Sequence, residues 1–110
     1  MNNENHNTEY KRIWKDECLK WVCGFANAQG GRIYVGITHL HQQLEDIPNK
    51  IVTMLGIVPA VSHIERDGKD IIEIDIEPSN IPLSYKGAFY MRSGATNQEL
   101  RGLALQQFLI

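Results

Sequence analysis

The sequence predicts a single small α+β domain, a mixed β-sheet with helices packed on it, in the order β-α-β-α-β-β-β-α. Two observations predict this class. Apolar residues recur at helical spacing in three segments, and β-branched or alternating runs of strand length occupy five others. The 110 residues suffice for one domain with a modest core, and no internal repeat or low-complexity linker divides them.

Two helices are predicted in the first half of the chain. Residues 8–13 are expected to form a short strand that leads into an amphipathic helix over residues 14–28. Residues 38–45 show no clear pattern. Asp46, just before an isoleucine and a proline, is expected to start a second helix, which Gly56 ends.

A two-glycine turn, Gly30-Gly31, joins the first helix to a predicted strand over residues 32–37. Glycines also line phosphate-binding loops, but those precede a helix, whereas here the order is reversed. We therefore interpret the turn as structural, with Asn27 as its buried polar anchor. Gly36 lies inside the strand, where glycine permits a bulge or the close approach of another backbone.

The second half of the chain carries a hairpin, a further strand and a last helix. Residues 61–66 and 70–77 read as two strands, and Asp67-Gly68 between them is a strong hairpin signal. Isoleucines alternate with acids in the second strand, so one face should be buried and the other acidic and wet. Residues 87–92 are a further strand. A Thr-x-x-Glu capping box that begins at Thr96 is expected to open the last helix.

Charge and composition limit the classes of function that the chain can have. The net charge of -2 excludes a strongly basic protein, so nucleic-acid binding would require a local patch. No apolar run is long enough for a membrane, and the polar N-terminus lacks a signal-peptide core, so we predict a cytoplasmic protein. Cys18 and Cys23 should then be reduced, and their spacing on one helix favours buried packing over a disulfide or a zinc pair.

Two groups of side chains are candidate metal ligands. Glu4 and Glu9 would need to converge on a hard cation to position water for phosphodiester cleavage, and such sites normally use a third acid. Solvated acids are the simpler interpretation. His39 and His41 supply two ligands where a structural zinc site needs four. We therefore expect no cofactor and no metal, with a divalent cation only under a nuclease alternative.

A scattered set of basic and aromatic side chains is the remaining candidate. Cations that neutralise phosphates provide most of the affinity for DNA or RNA, and aromatic rings stack on bases. Spacing alone fits ordinary surface charge equally well, and the cations cluster only if their strands are neighbours. The set comprises Tyr10, Lys11, Arg12, Tyr34, Tyr85, Lys86, Tyr90 and Arg92.

Three sequence blocks stand out when they are read together and in order. They are Glu4-x-x-x-x-Glu9-Tyr10-Lys11, residues 25–37 with the Gly30-Gly31 turn, and residues 85–94. As an ordered set they resemble the Schlafen-type AlbA-like (AlbA_2) domain, found at the N-terminus of many bacterial proteins described as transcriptional regulators or divergent AAA-type ATP-binding proteins. Residues 44–50 and 98–102 look like one bacterial branch of it.

The resemblance covers nearly the whole chain and implies an α+β domain with a nucleic-acid-binding role. Residues 1–110 are accordingly expected to be the N-terminal part of a longer protein. Animal relatives include RNA-cleaving members that use two glutamates and an aspartate. The glutamates fall by motif position on Glu4 and Glu9, but Thr38 and His39 stand where the aspartate is usual. This departure weakens the nuclease reading, and we do not predict an enzyme.

The leading hypothesis is the nucleic-acid-binding domain of a bacterial transcriptional regulator, with DNA favoured over RNA. Phosphate contacts are assigned to Lys11, Arg12, Lys86 and Arg92, with Tyr85 or Tyr90 beside them. One alternative is a metal-dependent nuclease that uses Glu4 and Glu9. The other is a non-enzymatic assembly module, a homodimer formed through a sheet edge or through the apolar C-terminus.

Overall fold

The computed structural model describes residues 4–110 and confirms the predicted α+β class. Residues 1–3, the start of the polar N-terminal segment, lie outside the described residues. The elements are β1 (Thr8–Lys11), α1 (Cys18–Ala26), β2 (Gly31–Gly36), α2 (Leu40–Leu55), β3 (Ala60–Arg66), β4 (Lys69–Ile76), β5 (Tyr90–Ser93), β6 (Thr96–Glu99) and α3 (Gly102–Leu109). Within residues 4–110, no helix is both long enough and apolar enough to cross a membrane.

A mixed four-stranded sheet forms the centre of the domain, and its strand order is β1-β2-β4-β3. β1 runs parallel to β2, and the two other pairings are antiparallel. The predicted hairpin between β3 and β4 is confirmed. Asp67 and Gly68 form its turn with positive φ angles of 53° and 77°, the conformation that suits a tight two-residue hairpin.

The core lies between one face of this sheet and the helices α1 and α2. Successive side chains of a strand point to opposite faces, and the inward side chains of β2 and β4 that the helices cover are apolar. Ile33, Val35, Ile72, Ile74 and Ile76 are buried there against both helices. Burial of each such side chain stabilises the fold by about 1.5–3 kcal/mol. The opposite face of the sheet carries polar and aromatic side chains.

The turn after α1 has the buried polar anchor that the sequence predicts. Asn27 Nδ2 donates to the carbonyl oxygens of Leu83 and Tyr90, each at 2.8 Å, and its Oδ1 accepts from the Leu83 N–H at 2.8 Å. Gly30 follows with φ 76° and lies against the Ile76 carbonyl, where a Cβ would come within 2.6 Å. This one turn therefore joins α1, the loop after β4 and β5.

The boundaries predicted for the first helix, residues 14–28, are wrong at both ends. Residues 15–17 form tight turns, in which the Cys18 N–H donates to Lys15 O at 2.8 Å, before the regular helix starts at Cys18. The helix ends at Ala26, and the Gly30 N–H closes its last turn on Phe25 O at 2.8 Å.

The second helix begins at Leu40, not at Asp46, and so includes a stretch that showed no clear pattern. The buried side chain of Gln43 explains the earlier start. Its Oε1 accepts from the backbone N–H of Thr38 at 2.9 Å and of His39 at 3.1 Å. These bonds hold the linking residues against the first helical turn, so α2 follows β2 almost at once.

The expected capping box at Thr96 is also wrong, because residues 96–99 form the strand β6. β6 pairs with β5 in a hairpin, and the strand predicted at residues 87–92 is found at Tyr90–Ser93. The Thr96 hydroxyl donates to the Ser93 carbonyl at 2.7 Å and so closes the hairpin turn. The last helix starts only at Gly102.

Both cysteines are buried, as predicted, and their thiols are free. Burial raises the pKa of each thiol above its ordinary value. The Cys23 thiol also donates to Leu83 O at 3.3 Å. The two residues therefore serve as packing groups of α1.

Gly36 has the close backbone neighbour that a glycine in a strand permits. A Cβ at this position would lie 2.1 Å from the Arg12 carbonyl oxygen. Substitution Gly36→Ala should therefore push the end of β1 away from β2 and lower the free energy of unfolding by about 1–3 kcal/mol. Urea unfolding measures this, with the exposed Thr38→Ala as the control. Equal unfolding curves for the two variants would contradict the contact.

Candidate nucleic-acid interface

The face of the sheet opposite α1 and α2, which we call the open face, gathers side chains from all four strands. Strand alternation and register place these residues on it. They are Thr8 and Tyr10 of β1; Arg32, Tyr34 and Gly36 of β2; Lys69, Ile71, Glu73 and Asp75 of β4; and Ala60, Ser62, Ile64 and Arg66 of β3.

Two tyrosines stack at the centre of the open face. Tyr10 and Tyr34 are direct partners across the parallel β1–β2 pair. Their ring centroids are 5.3 Å apart with an interplanar angle of 25°, an offset-stacked geometry that aromatic pairs favour. Their shared register therefore aligns the two rings.

Arg66 extends this pair to a row of three flat groups. Its guanidinium carbon lies 4.6 Å from the centroid of the Tyr34 ring, within cation–π distance. The strand order brings Tyr10 and Arg66 to Tyr34 from opposite sides, and Tyr34 is only 6% exposed. We call Tyr10, Tyr34 and Arg66 the tyrosine–arginine stack.

The stack is shared by two shallow depressions at opposite ends of the strands. The first, of about 460 Å³, is completed by Asn5, Asn7, Thr8 and Arg32. The second, of about 370 Å³, is completed by Lys11, Val35, Gly36, Asp67, Lys69 and Ile71. Each depression therefore has cationic side chains beside the aromatic rings.

Charges of both signs share the open face. The Arg32 Nε lies 3.9 Å from Asp75 Oδ2, with both side chains about half exposed. Hydrogen bonding to the Tyr34 hydroxyl, and then the charges of Asp75 and Glu73, raise the pKa of Arg32. Because exposed ion pairs at this distance contribute little, an incoming anion can replace Asp75 as the partner of Arg32.

The basic residues that the sequence assigns to phosphate contacts have different surroundings in the structure. Lys11 Nζ is 2.9 Å from Glu9 Oε2 and 4.0 Å from the Trp21 ring centroid. Arg12 is exposed just after β1. Lys86 is exposed in a turn with φ 52°, 5.4 Å from the ring of its neighbour Tyr85.

The predicted aromatic partners, Tyr85 and Tyr90, belong to the body of the domain. Tyr85 is 5% exposed and part of the core. Tyr90 is half-buried, and its carbonyl accepts from Asn27. Neither ring lies on the open face.

Arg92 is directed inward. Its side chain is fully buried, and Nη1 is 2.6 Å from Glu9 Oε1. Its Nη2 donates to the carbonyls of Asn5 at 2.6 Å and Thr8 at 2.9 Å. The guanidinium therefore joins the β5–β6 hairpin to β1 and does not face solvent in this conformation.

Glu4 and Glu9 do meet, but within this ionic network. Glu9 is 3% exposed, and its two oxygens contact Arg92 and Lys11. Glu4 Oε2 accepts from the Tyr10 N–H at 3.0 Å. Partial burial raises the pKa of Glu4, but the Tyr10 N–H, a hydrogen bond with Glu9 and the nearby positive charges together hold it below its ordinary value.

The third acid expected of a nuclease site has no counterpart at the end of β2. Thr38 and His39 are exposed there, and Gln43 binds their N–H groups. Across the described part of the chain, no group of three or more His, Cys, Asp or Glu side chains is arranged to hold a metal ion.

Sequence reasoning missed Arg32, Arg66 and Lys69, the cations of the open face. The sequence does contain a signal for Arg32, because Arg32 and Tyr34 are two residues apart in a strand and therefore share a face. Arg66 and Lys69 flank the hairpin turn. Their approach to the tyrosines depends on the order of the strands, which local sequence does not reveal.

Fold and site together define a small α+β domain with a mixed sheet, helices on one side and an aromatic and basic face on the other. The chain belongs to the Schlafen AlbA_2 family, whose model matches residues 4–101. The Glu9–Arg92 ion pair joins the first and third of the sequence blocks that carry this resemblance.

Two solved structures share the fold at low sequence identity. The DIP2311 protein of Corynebacterium diphtheriae is similar with a TM-score of 0.70 and 16% identity, over 86% of this chain and 22% of that one. The N-terminal domain of a Nitrosomonas europaea protein, described as related to the ATP-dependent DNA helicase RecG, has a TM-score of 0.62 and 17% identity, over 93% and 87%. No curated protein matches the sequence.

Proposed function

We propose that this domain binds nucleic acid through the open face, as the DNA-binding domain of a cytoplasmic transcriptional regulator. The tyrosine–arginine stack, with cationic depressions at both ends, is the observation that carries the proposal. Family membership supports it, as does the structural similarity to a protein described as related to a DNA helicase.

The affinity has to come from this local arrangement. The chain as a whole carries a net charge of -2, so long-range attraction to a polyanion is weak. On the open face, Arg32, Arg66 and Lys69 outnumber Glu73 and Asp75. Neutralised phosphates release bound counterions, which provides salt-dependent affinity even for a domain of acidic composition.

Three of the four cations that the sequence assigns to phosphate contacts remain proposed contacts. Lys11 lines the second depression, and Arg12 follows directly at the same end of β1. Lys86 is exposed and is retained as a peripheral contact. Arg92 is assigned a structural role instead, because its guanidinium is bound inside the fold.

The double variant Arg32→Ala/Lys69→Ala tests the proposed interface. We expect at least a tenfold loss of affinity for labelled DNA at low salt, measured by fluorescence anisotropy. The slope of log affinity against log salt should decrease by about 0.9 for each lost phosphate contact on a duplex, or about 0.7 on a single strand.

A matched control removes the same charge from outside the open face. Lys50→Ala/Arg101→Ala changes two exposed cations, one on α2 and one just before α3. Its affinity and salt slope should equal those of the wild type. Absence of wild-type binding at low salt, or an equal loss in the control, would refute the proposed interface.

A further inference from the structure

We infer that the open face takes an unpaired nucleic-acid strand, with one base stacked on Tyr10 and a second on the guanidinium plane of Arg66. This inference rests on the proposed nucleic-acid binding and names the form of the ligand. It follows from the flat groups of the tyrosine–arginine stack and from the position of the cations around them.

Tyr34 is the fixed centre of the stack. It is almost fully buried, between Tyr10 on the neighbouring strand and Arg66 from the far edge of the sheet. Tyr10 is only half-buried, and Arg66 is exposed. The surfaces available to a ligand are therefore at the two ends of the row. Tyr34 holds the two side chains, Tyr10 and Arg66, that form these surfaces.

Tyr34 also has a cation beside it. Arg32 lies two residues earlier on the same face of β2 and lines the first depression together with Tyr34. Lys69 lines the second depression, toward the other end of β1 and β2. Stacked bases at the centre would thus have a cation on either side along the strands, where phosphates of one continuous strand can bind.

A duplex fits this surface poorly for two reasons. Base faces are hidden in a duplex, so aromatic rings and guanidinium planes stack only on unpaired bases. Reading of a duplex in the major groove requires a projecting helix or ribbon, and α1 and α2 lie on the opposite side of the sheet. In addition, Glu73 and Asp75 repel a second phosphate backbone laid across β4.

The test compares an unpaired and a paired probe on the 110-residue chain. The probe is a labelled DNA strand of about 16 nucleotides, which spans the site of one small binding fold. It is used alone and annealed to its complement. We expect the unpaired strand to bind at least tenfold more tightly, and 2-aminopurine placed within it to be quenched on binding.

Two variants separate stacking from charge. Arg66→Lys keeps the charge and removes the plane, and Tyr10→Leu keeps apolar bulk and removes the ring. Each should weaken single-strand binding about tenfold without a change of the salt slope. Arg101→Lys, the same exchange at an exposed position outside the open face, is the matched control for Arg66→Lys and should retain both the affinity and the quenching. Because Arg66 is exposed, its substitution tests stacking without a risk to folding.

Equal or tighter binding of the duplex would overturn this inference and leave the proposed function standing. Unchanged single-strand affinity in Arg66→Lys and Tyr10→Leu would do the same. Failure of both probes to bind at low salt would refute the proposed function itself.

Discussion

Replacement of Arg92 by alanine should lower the free energy of unfolding by about 3–5 kcal/mol. The side chain is fully buried, and its removal leaves the carboxylate of Glu9, 3% exposed, without its partner at 2.6 Å. The carbonyls of Asn5 and Thr8 also lose one of their hydrogen-bond donors. Guanidinium chloride or urea unfolding followed by circular dichroism measures the loss.

Arg101 offers a matched control, because it forms the same type of pair on the surface. Its Nη2 lies 3.0 Å from Glu99 Oε1, but the side chain is 79% exposed. Arg101→Ala should therefore leave the free energy of unfolding nearly unchanged. An equally small loss in Arg92→Ala would contradict the structural role of Arg92. The double variant Glu9→Gln/Arg92→Met should recover part of the stability, since it also removes the buried carboxylate, which in Arg92→Ala keeps Lys11 as its ion-pair partner.

Substitution Asn27→Ala should lower the free energy of unfolding by about 3 kcal/mol, because it leaves buried backbone groups unsatisfied at 1–3 kcal/mol each. Asn27 is the shared partner of Leu83 and Tyr90 in the turn after α1. The exposed Asn80→Ala is the control and should have little effect. Thermal and urea unfolding compare the two variants.

The variant Asn27→Asp distinguishes hydrogen bonding from packing. It keeps the volume and the acceptor for the Leu83 N–H, but it has no N–H group to donate to the Leu83 and Tyr90 carbonyls. We expect it to be destabilised at least as much as Asn27→Ala at neutral pH, because its buried carboxylate also faces the two carbonyl oxygens. Stability close to that of the wild type would show that these two donor bonds contribute little.

The features that the sequence predicts well are those with a local cause. The β3–β4 hairpin follows from Asp67-Gly68, because two residues with positive φ suffice to reverse the chain. The alternating isoleucines of β4 identify its buried face. In both cases the physical information lies within a few residues.

The errors arose where a distant partner decides the outcome. Residues 96–99 match a capping box, yet pairing with β5 makes them a strand. Arg12 and Arg92 look alike as exposed cations in sequence, but only Arg92 finds a buried carboxylate, 83 residues away at Glu9. The tyrosine–arginine stack likewise depends on a parallel strand pair and on a strand order that no local pattern specifies.

The contacts of Arg92 also bear on the order in which the chain can fold during synthesis. Within this domain β1 leaves the ribosome before the other strands, yet its carbonyl and carboxylate groups are held by Arg92, a side chain near the other end of the domain. Long-range closure of this kind delays folding until both partners are available. The first strand of the domain is therefore fully held in place only after the β5–β6 hairpin has emerged, so this domain cannot complete its fold before nearly all of its residues are made.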